Sequence, residues 1–315
     1  MSKIAFIYPG QGAQKAGMGA DFYENSEITR YIFDQAGEEL DLDMKELCFE
    51  ENDRLDLTEY TQAAMVTTCL AMTRVAESKG LKADITAGLS LGEYPAIAAA
   101  GGMNDMDAIR LVRKRGILMQ NTVPAGEGAM CAVISMAAEE IEKVIEPIAD
   151  VSVANYNCPG QIVITGKTDA VEEAAAKLKE AGARRTIMLN VSGPFHSQML
   201  VPAGEKLAEE LEHTRFHELR IPYVTNVTAE KVTDIRETPG LLTTQISSPV
   251  RWMQSMERMI ADGVDTFVEI GPGKTLEGFL RKIDRSVKVF HISQWEDVDK
   301  VCTELADSGK MMEEA

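Results

Sequence analysis

The feature that most constrains this chain is the segment at residues 88–92, which reads Gly-Leu-Ser-Leu-Gly. It lies between an apolar run typical of a buried strand (85–89) and an alanine-rich run typical of a helix (91–100). Flanking glycines permit a tight strand-to-helix turn that exposes the hydroxyl of Ser90, and the following Leu91 N–H can stabilise a substrate oxyanion. An ordinary turn whose serine caps a helix would have the same sequence, so the rest of the chain must decide.

Short apolar strands alternate with helices in two stretches of the chain. The stretches contain predicted strands at 4–8, 85–89, 223–227 and 266–270 and predicted helices at 60–79, 91–100, 108–120, 203–212 and 253–262. Thr58 is the candidate N-cap and Gly80 the stop of the helix at 60–79. This alternation is typical of an α/β domain.

The pattern between these stretches is different. A linker-like segment at 123–128 precedes a predicted strand at 130–134, a helix at 137–148, strands at 151–156 and 161–166, a helix at 168–181 and a strand at 184–189. The order β-α-β-β-α-β is that of a ferredoxin-like unit. We therefore predict a large α/β domain formed by residues 1–123 and 192–315, with a small ferredoxin-like domain at 124–191 inserted in it. The polar tail at 310–315 is predicted to fray.

Composition restricts the class of protein. The 315 residues carry a net charge of −18, which argues against nucleic-acid binding. No apolar run approaches the ~20 residues of a membrane span, and the first residues lack the apolar region of a signal peptide. The 5 cysteines are dispersed without metal-binding spacing, so we expect reduced thiols, no metal site and a cytoplasmic location.

A serine nucleophile needs a base, and the chain has 4 histidines. His213 and His217 lie in a polar stretch, and His291 follows a strand-like run, so surface and structural roles are expected for these three. His196 lies in a bent loop, Ser-Gly-Pro-Phe-His-Ser, at the end of the predicted insert, where a cleft between domains would form. No triad acid can be assigned, and a backbone carbonyl could orient His196 equally well.

Two further segments have the composition of ligand-binding loops. Residues 9–14, Pro-Gly-Gln-Gly-Ala-Gln, follow the first strand and could complete an oxyanion hole or bind phosphate. Residues 271–275, Gly-Pro-Gly-Lys-Thr, imitate a phosphate-binding loop but lack the glycine that its spacing requires at Val268, so nucleotide hydrolysis is rejected. The helix at 108–120 carries Arg113 and Arg115, either of which could bind a carboxylate.

Together these segments resemble the malonyl-CoA:acyl carrier protein transacylase family over nearly the whole chain. The resemblance lies in residues 6–12, 88–94, 113–120, 155–157, 192–197, 221–228, 245–252 and 269–274. Each segment alone is weakly specific, but all of them in this order are very specific. The family's fold implies an α/β-hydrolase-like large domain and the small insert, with the active site between them.

The resemblance also implies site residues. Ser90 would carry the acyl group, His196 would be its base, and the backbone carbonyl of Gln245 would hold the histidine. Arg115 would pair with the malonyl carboxylate, which decides between the two arginines. The remaining matches are the oxyanion-hole amides of Gln11 and Leu91, the cleft residues Asn155 and Met130, and Phe195, whose ring would crowd an α-methyl branch.

The chain departs from the family pattern at two positions. Leu89 stands where many members have a histidine before the serine, and the expected chemistry does not require that histidine. Pro95 lies in the helix after the serine and cannot donate a helical hydrogen bond. We therefore expect the first turns of that helix to be distorted.

The implied activity is a ping-pong transfer of malonyl from malonyl-CoA to the phosphopantetheine thiol of acyl carrier protein, supplying fatty acid biosynthesis without a cofactor in the enzyme. A transacylase of a polyketide or malonate decarboxylase system remains an alternative, as does a serine thioesterase or hydrolase. A non-catalytic module that binds the carrier would have no use for serine, histidine and arginine together. An acidic carrier would need a basic patch, and the candidates are Arg184 with Arg185 and Arg281 with Lys282.

Overall fold

The computed structural model describes residues 3–307, so the tail predicted to fray at 310–315 lies outside the described residues. The strands are β1 (Lys3–Tyr8), β2 (Ile85–Gly88), β3 (Gly128–Ile134), β4 (Val151–Cys158), β5 (Gln161–Lys167), β6 (Arg185–Met188), β7 (Tyr223–Val224), β8 (Lys231–Val232), β9 (Val264–Ile270) and β10 (Lys288–Ile292). They form two separate sheets.

Helices pack around both sheets. They are α1 (Ala20–Asn25), α2 (Glu27–Leu40), α3 (Met44–Phe49), α4 (Thr58–Ser78), α5 (Glu93–Ala99), α6 (Asp105–Asn121), α7 (Ala138–Ile145), α8 (Thr168–Glu180), α9 (Val201–Glu212), α10 (Thr238–Gln245), α11 (Trp252–Ala261), α12 (Thr275–Ile283) and α13 (Trp295–Asp307). The chain is a mixed α/β protein.

The larger sheet has the order β10-β9-β1-β2-β7-β8, in which the first five strands are parallel and β8 is antiparallel to β7. The central strands β1 and β2 are apolar along almost their whole length because helices cover both faces of the sheet. Loops at the carboxyl ends of neighbouring parallel strands meet at one edge, which is where ligands bind in such sheets.

The smaller sheet is antiparallel, with the order β4-β5-β3-β6. Helices α7 and α8 cover one face of it through their own apolar cluster, which includes Ile141, Val171 and Leu178. The segment before α11 joins the small sheet at its edge strand β4, where the backbone of Val250 donates to Ala154 O (2.7 Å) and accepts from Tyr156 N (2.9 Å). The second face of the small sheet, through Met130, Ala132 and Val163, packs into the same core cluster as Tyr223 of the large sheet.

Three local expectations need correction. Thr58 does not cap α4, because the helix begins at Thr58 and its hydroxyl contacts Ser192 Oγ (2.6 Å) instead. The strand expected at 223–227 ends at Val224, since the next residues turn toward the Ser90 segment. His291 lies inside β10 and not after a strand. The three helices between residues 20 and 49 had no prediction.

The distortion expected from Pro95 agrees with the structure. Residues Ser90–Gly92 form a 3-10 turn, and the α-helical part begins only at Glu93. Pro95 then falls in the first turn of α5, where a backbone N–H has no helical acceptor and its loss has no cost.

Candidate active site

The turn after β2 is built so that only glycine fits on either side of Ser90. A Cβ at Gly88 would lie 1.8 Å from Gly92 O, and a Cβ at Gly92 would lie 2.2 Å from Tyr8 O. Ser90 itself has a φ of 53°, a left-handed conformation that L-residues rarely adopt. Such strain persists only where the surroundings enforce it, and it marks functional positions.

Asn226 holds the strained turn from the side. Its Oδ1 accepts from Ser90 N (2.7 Å), and its Nδ2 donates to Gly88 O (2.7 Å). Asn226 comes from the loop after β7, the strand next to β2. The side chain therefore fixes the backbone on both sides of Leu89 and keeps the serine hydroxyl at the edge of the sheet.

His196 lies beside this hydroxyl. Its Nε2 is 2.7 Å from Ser90 Oγ, and its Nδ1 is 2.9 Å from Gln245 O. A carbonyl oxygen only accepts, so Nδ1 carries the proton and Nε2 presents its lone pair to the serine. Burial, helped by the charge of Arg115, lowers the pKa of His196 to about 4 despite opposing backbone contacts. The imidazole is thus neutral at physiological pH, as a general base must be.

Arg115 is the buried cation of the site, with 1% of its surface exposed. It donates to Gln62 Oε1 (2.9 Å), to Gln245 Oε1 (3.0 Å) and to Ser90 Oγ (3.3 Å). Its Nε has no hydrogen-bond partner, and no carboxylate within residues 3–307 forms an ion pair with it. The nearby buried Glu93 acts on Arg115 electrostatically but forms no direct ion pair with it, so the guanidinium is free to pair with an anionic group of a ligand.

Arg113 is used differently, although it lies on the same helix. It pairs with Glu59 Oε2 (2.9 Å) and stacks on the Tyr60 ring at 4.4 Å. Its charge is already matched by a carboxylate, so it is not available to a ligand. Geometry therefore separates the two arginines that local sequence could not separate.

These groups open into a cavity of about 400 Å³ between the two sheets, within the usual size range of ligand pockets. Its lining includes predicted site residues from both parts of the chain: Gln11, Ser90, Leu91, Arg115, Met130, Asn155, Phe195 and His196. Gln245 is buried behind Arg115 and does not line the cavity. The backbone of Gln245 contacts His196 and its amide contacts Arg115.

The glutamines after β1 have structural explanations. Gln11 Nε2 donates to Thr58 Oγ1 (3.0 Å), which ties this loop to the start of α4. Gln14 Oε1 accepts from Gly12 N (2.7 Å) and so supports the turn. The loop at 9–13 lines the same cavity as Leu91.

The other histidines lie outside the site, and of the loop at 271–275 only Thr275 lines the cavity. His213, His217 and His291 do not line the cavity, and His291 lies 3.5 Å from Glu277 Oε2. At the loop, the carboxylate of Glu269 accepts from Leu276 N and Glu277 N at the start of α12. An anion already occupies that helix N-terminus, in keeping with the rejection of a phosphate-binding loop.

Sequence reasoning missed three polar residues around the site: Gln62, Glu93 and Asn226. Gln62 is a buried amide within the apolar α4, and Glu93 is a buried acid three residues after Ser90. An amide or acid inside an otherwise apolar helix indicates a buried polar partner, and this signal was present for both. Asn226 lies inside a segment used for the resemblance but had no role assigned.

The described residues contain neither a cluster of metal-binding side chains nor a membrane-spanning helix. No group of three or more His, Cys, Asp and Glu side chains within residues 3–307 is arranged to hold a metal ion. No helix in this range is long and apolar enough to cross a membrane.

Known proteins resemble the whole chain. The acyl transferase domain family matches residues 5–298. Malonyl CoA-acyl carrier protein transacylase of Bacillus subtilis (strain 168) is 44% identical over 304 residues, covering 95% of this chain and 96% of the relative. The chain belongs to the malonyl-CoA:acyl carrier protein transacylase family. It is therefore an acyltransferase.

Solved structures of this transacylase family share the fold. The crystal structure of malonyl CoA-acyl carrier protein transacylase from Clostridium perfringens superposes with a TM-score of 0.94 at 42% identity, covering 98% of each chain. A malonyl-transacylase in complex with its type II polyketide acyl-carrier protein superposes with a TM-score of 0.93 at 35% identity, covering 96% of this chain and 100% of that one.

Proposed function

We propose that the protein transfers the malonyl group of malonyl-CoA to the phosphopantetheine thiol of acyl carrier protein through a malonyl-serine intermediate. The observation that carries this proposal is the buried guanidinium of Arg115, which forms no direct ion pair within residues 3–307 and lies 3.3 Å from Ser90 Oγ. A cation so close to the nucleophile selects an acyl group that ends in a carboxylate, and the malonyl specificity in the names of its relatives agrees with that choice.

In the first half-reaction, Ser90 Oγ attacks the thioester carbonyl carbon while His196 Nε2 takes the hydroxyl proton. The backbone amides of Leu91 and Gln11 stabilise the resulting oxyanion. The carbon–sulfur bond then breaks, the proton on His196 passes to the departing CoA sulfur, and a malonyl ester remains on Ser90.

The second half-reaction reverses these steps with another thiol. His196 takes the proton of the phosphopantetheine thiol, and the sulfur attacks the ester carbonyl. The bond to Ser90 Oγ breaks and the serine recovers its proton. One histidine therefore serves both halves, and the chemistry proposed uses neither a metal nor an enzyme-bound cofactor.

Arg115 gives this reaction its substrate preference. A malonyl carboxylate can accept two parallel hydrogen bonds from the guanidinium, whereas an acetyl group leaves the buried charge unpaired. A site built for a polar group rejects an analogue that lacks it far more strongly than a hydrophobic pocket rejects a missing methylene. The wall formed by Phe195 would further disfavour branching next to the thioester.

The proposal also includes a division of the chain into two domains. We assign residues 124–191 to an inserted ferredoxin-like domain, supported by the strand order β4-β5-β3-β6 and by two helices on one face. Residues 1–123 and 192–315 would form the α/β-hydrolase-like domain. We further propose a cytoplasmic enzyme that supplies fatty acid biosynthesis, and the 5 free cysteines support a reducing compartment.

Intact-mass spectrometry tests the function directly. The wild-type protein should gain one malonyl group on mixing with malonyl-CoA and lose it when holo acyl carrier protein is added. Ser90→Ala should show no gain. Release of free malonate faster than formation of malonyl-carrier would replace transfer with hydrolysis, and comparison of fatty acid and polyketide carriers would identify the pathway.

A further inference from the structure

One carboxylate oxygen lies at the centre of the polar groups behind the nucleophile. Glu93 is fully buried in the first turn of α5, and its Oε2 accepts from Gln245 Nε2 (2.7 Å) and from Asn226 N (3.1 Å). Glu93 does not line the cavity, so it does not reach a substrate. The two residues that it binds, Gln245 and Asn226, however, both contact the backbone of Ser90.

The side chains of Asn226 and Gln245 hydrogen-bond to the backbone of Ser90 from both ends of the residue. Asn226 Oδ1 accepts from Ser90 N (2.7 Å), and Gln245 Nε2 donates to Ser90 O (3.0 Å). The N–H and the C=O of the strained residue are therefore both held by side chains whose positions depend on the same carboxylate. Loss of that carboxylate would release both ends together.

Gln245 extends the arrangement to the other reacting groups. Its backbone carbonyl holds His196 Nδ1, and its Oε1 accepts from Arg115. An amide can be rotated by half a turn with little change in shape, which would present NH₂ to Arg115 in place of oxygen. Because Glu93 accepts from the NH₂ end, it determines that the oxygen end faces the guanidinium.

We propose that Glu93 is a positioning residue that sets the relative geometry of Ser90, His196 and Arg115 through Gln245 and Asn226. This inference rests on the proposed transfer reaction. Burial raises the pKa of Glu93 to about 7, although its contacts with Gln245, Thr225 and Asn226 oppose the rise. Placing an ionisable group in such surroundings is unfavourable, and a role in the site accounts for its presence.

Two substitutions at one position test the proposal. Glu93→Leu removes the acceptor at similar volume, whereas Glu93→Gln keeps an oxygen that can accept from both neighbours. We expect Glu93→Leu to slow malonyl-serine formation at saturating malonyl-CoA by about 10²-fold, the usual effect of a misplacement near 1 Å. Because Arg115 loses its orientation, the ratio of malonyl to acetyl transfer should also fall. Glu93→Gln should restore both quantities to within about tenfold of wild type.

Asp105→Leu is the matched control for a merely structural effect. Asp105 is a partly buried acid that pairs with Arg74 (2.6 Å) away from the cavity. The control should lower the thermal midpoint but leave the rate and the malonyl-to-acetyl ratio unchanged. If Glu93→Leu does not fold, Gln245→Leu takes its place, since it removes the amide and retains the backbone carbonyl.

The outcomes separate this inference from the proposed function. A folded Glu93→Leu or Gln245→Leu protein with wild-type rate and wild-type ratio overturns the positioning role alone. An equal loss in the Asp105 control also overturns it, because general destabilisation would then explain both. If the wild-type protein forms no malonyl-serine at all, the proposed function itself is wrong.

Discussion

The two sheets that bound the cavity contribute to it in different ways. The large sheet places Ser90 and the loop containing Gln11 at the ends of adjacent parallel strands, and the helices and loops around it supply Arg115 and His196. The small antiparallel sheet contributes wall residues such as Met130, Asn155 and Val163, none of which hydrogen-bonds to the serine, the histidine or the arginine. The reacting groups thus belong to one side of the cavity and the enclosure to the other.

This difference follows from the two architectures. Parallel strands direct all their carboxyl-terminal loops to one edge, so residues far apart in sequence meet there. In an antiparallel sheet, successive loops alternate between the two ends, and its face is the surface available to a neighbour. Substitutions on the large-sheet side should therefore change kcat, whereas those on the small-sheet side should change KM and stability.

The largest effect is expected from His196→Ala, which removes the only imidazole that lines the cavity within residues 3–307. Malonyl-serine formation should slow by roughly 10²–10⁴-fold, the usual contribution of a general base. Rapid-mixing mass spectrometry measures the rate. His213→Ala and His291→Ala are the controls, and a crippled His291 variant would show that the wrong histidine has been assigned.

The environment of His196 also predicts a pH profile. Because its pKa is lowered to about 4, the imidazole stays neutral down to well below pH 6. The kcat/KM for serine acylation should therefore fall steeply only as the pH approaches 4. Protonation of Glu93 near pH 7 should change it by less than about tenfold, because the protonated group still offers an acceptor oxygen, as in Glu93→Gln. An acidic limb centred near 6.5, the ordinary histidine value, that persists in Glu93→Gln would contradict the buried and neutral state of His196.

A large but substrate-dependent effect is expected from Arg115→Ala. Malonyl transfer should fall by about 10²-fold or more, because the carboxylate loses its charged partner and is left desolvated. Acetyl transfer should stay level or rise, since a buried unpaired charge has been removed. The measured quantity is the ratio of the two kcat/KM values, and Arg113→Ala should leave that ratio unchanged. Equal losses for both acyl groups would reduce Arg115 to a structural role.

A moderate effect is expected on the other side of the cavity. Met130 is 5% exposed on β3, and Met130→Ala should cost about 2–5 kcal/mol of stability, as truncations of buried side chains do. The kcat for malonyl transfer should nevertheless stay within severalfold of wild type, with any change appearing in KM. Thermal melts and steady-state kinetics on one preparation provide both numbers. A loss of kcat comparable to that of Arg115→Ala would remove the distinction between the two sides.

The features that could be predicted from the sequence also differ between the two sides of the cavity. The glycines around Ser90 and the β-α-β-β-α-β order are local patterns, so the serine turn and the small sheet could both be predicted. The contact between His196 and Gln245 O joins residues 49 positions apart through a backbone atom, which no side-chain pattern encodes. The buried roles of Glu93 and Asn226 depend on the packing of β7 against β2, and the residues themselves do not specify it. Only the family resemblance anticipated Gln245.

The smallest effect is expected at the rim of the cavity, where an acidic carrier would dock. The sequence did not distinguish the two candidate basic patches, represented by Arg184 and Lys282. The structure separates them. Lys282 is exposed on α12, the helix whose first residues line the cavity, and its Nζ lies 3.5 Å from Gln161 Oε1, another lining residue. Arg184 is also exposed, but it precedes β6 (Arg185–Met188), a strand none of whose residues lines the cavity. A carrier whose thiol enters the cavity would thus meet Lys282 first.

Charge reversal at Arg184 and Lys282 tests this placement of the docking surface. The net charge of −18 repels an acidic carrier at long range, so the encounter depends on local cations and on salt. Lys282→Glu should raise the carrier KM severalfold at low salt, and the effect should shrink as salt is added. Arg184→Glu should raise it less. Acylation of Ser90 by malonyl-CoA should hardly change in either variant, because rim charges govern association and not the chemical step. A larger effect at Arg184 than at Lys282 would move the docking surface to the small sheet and give that side of the molecule a role beyond enclosure.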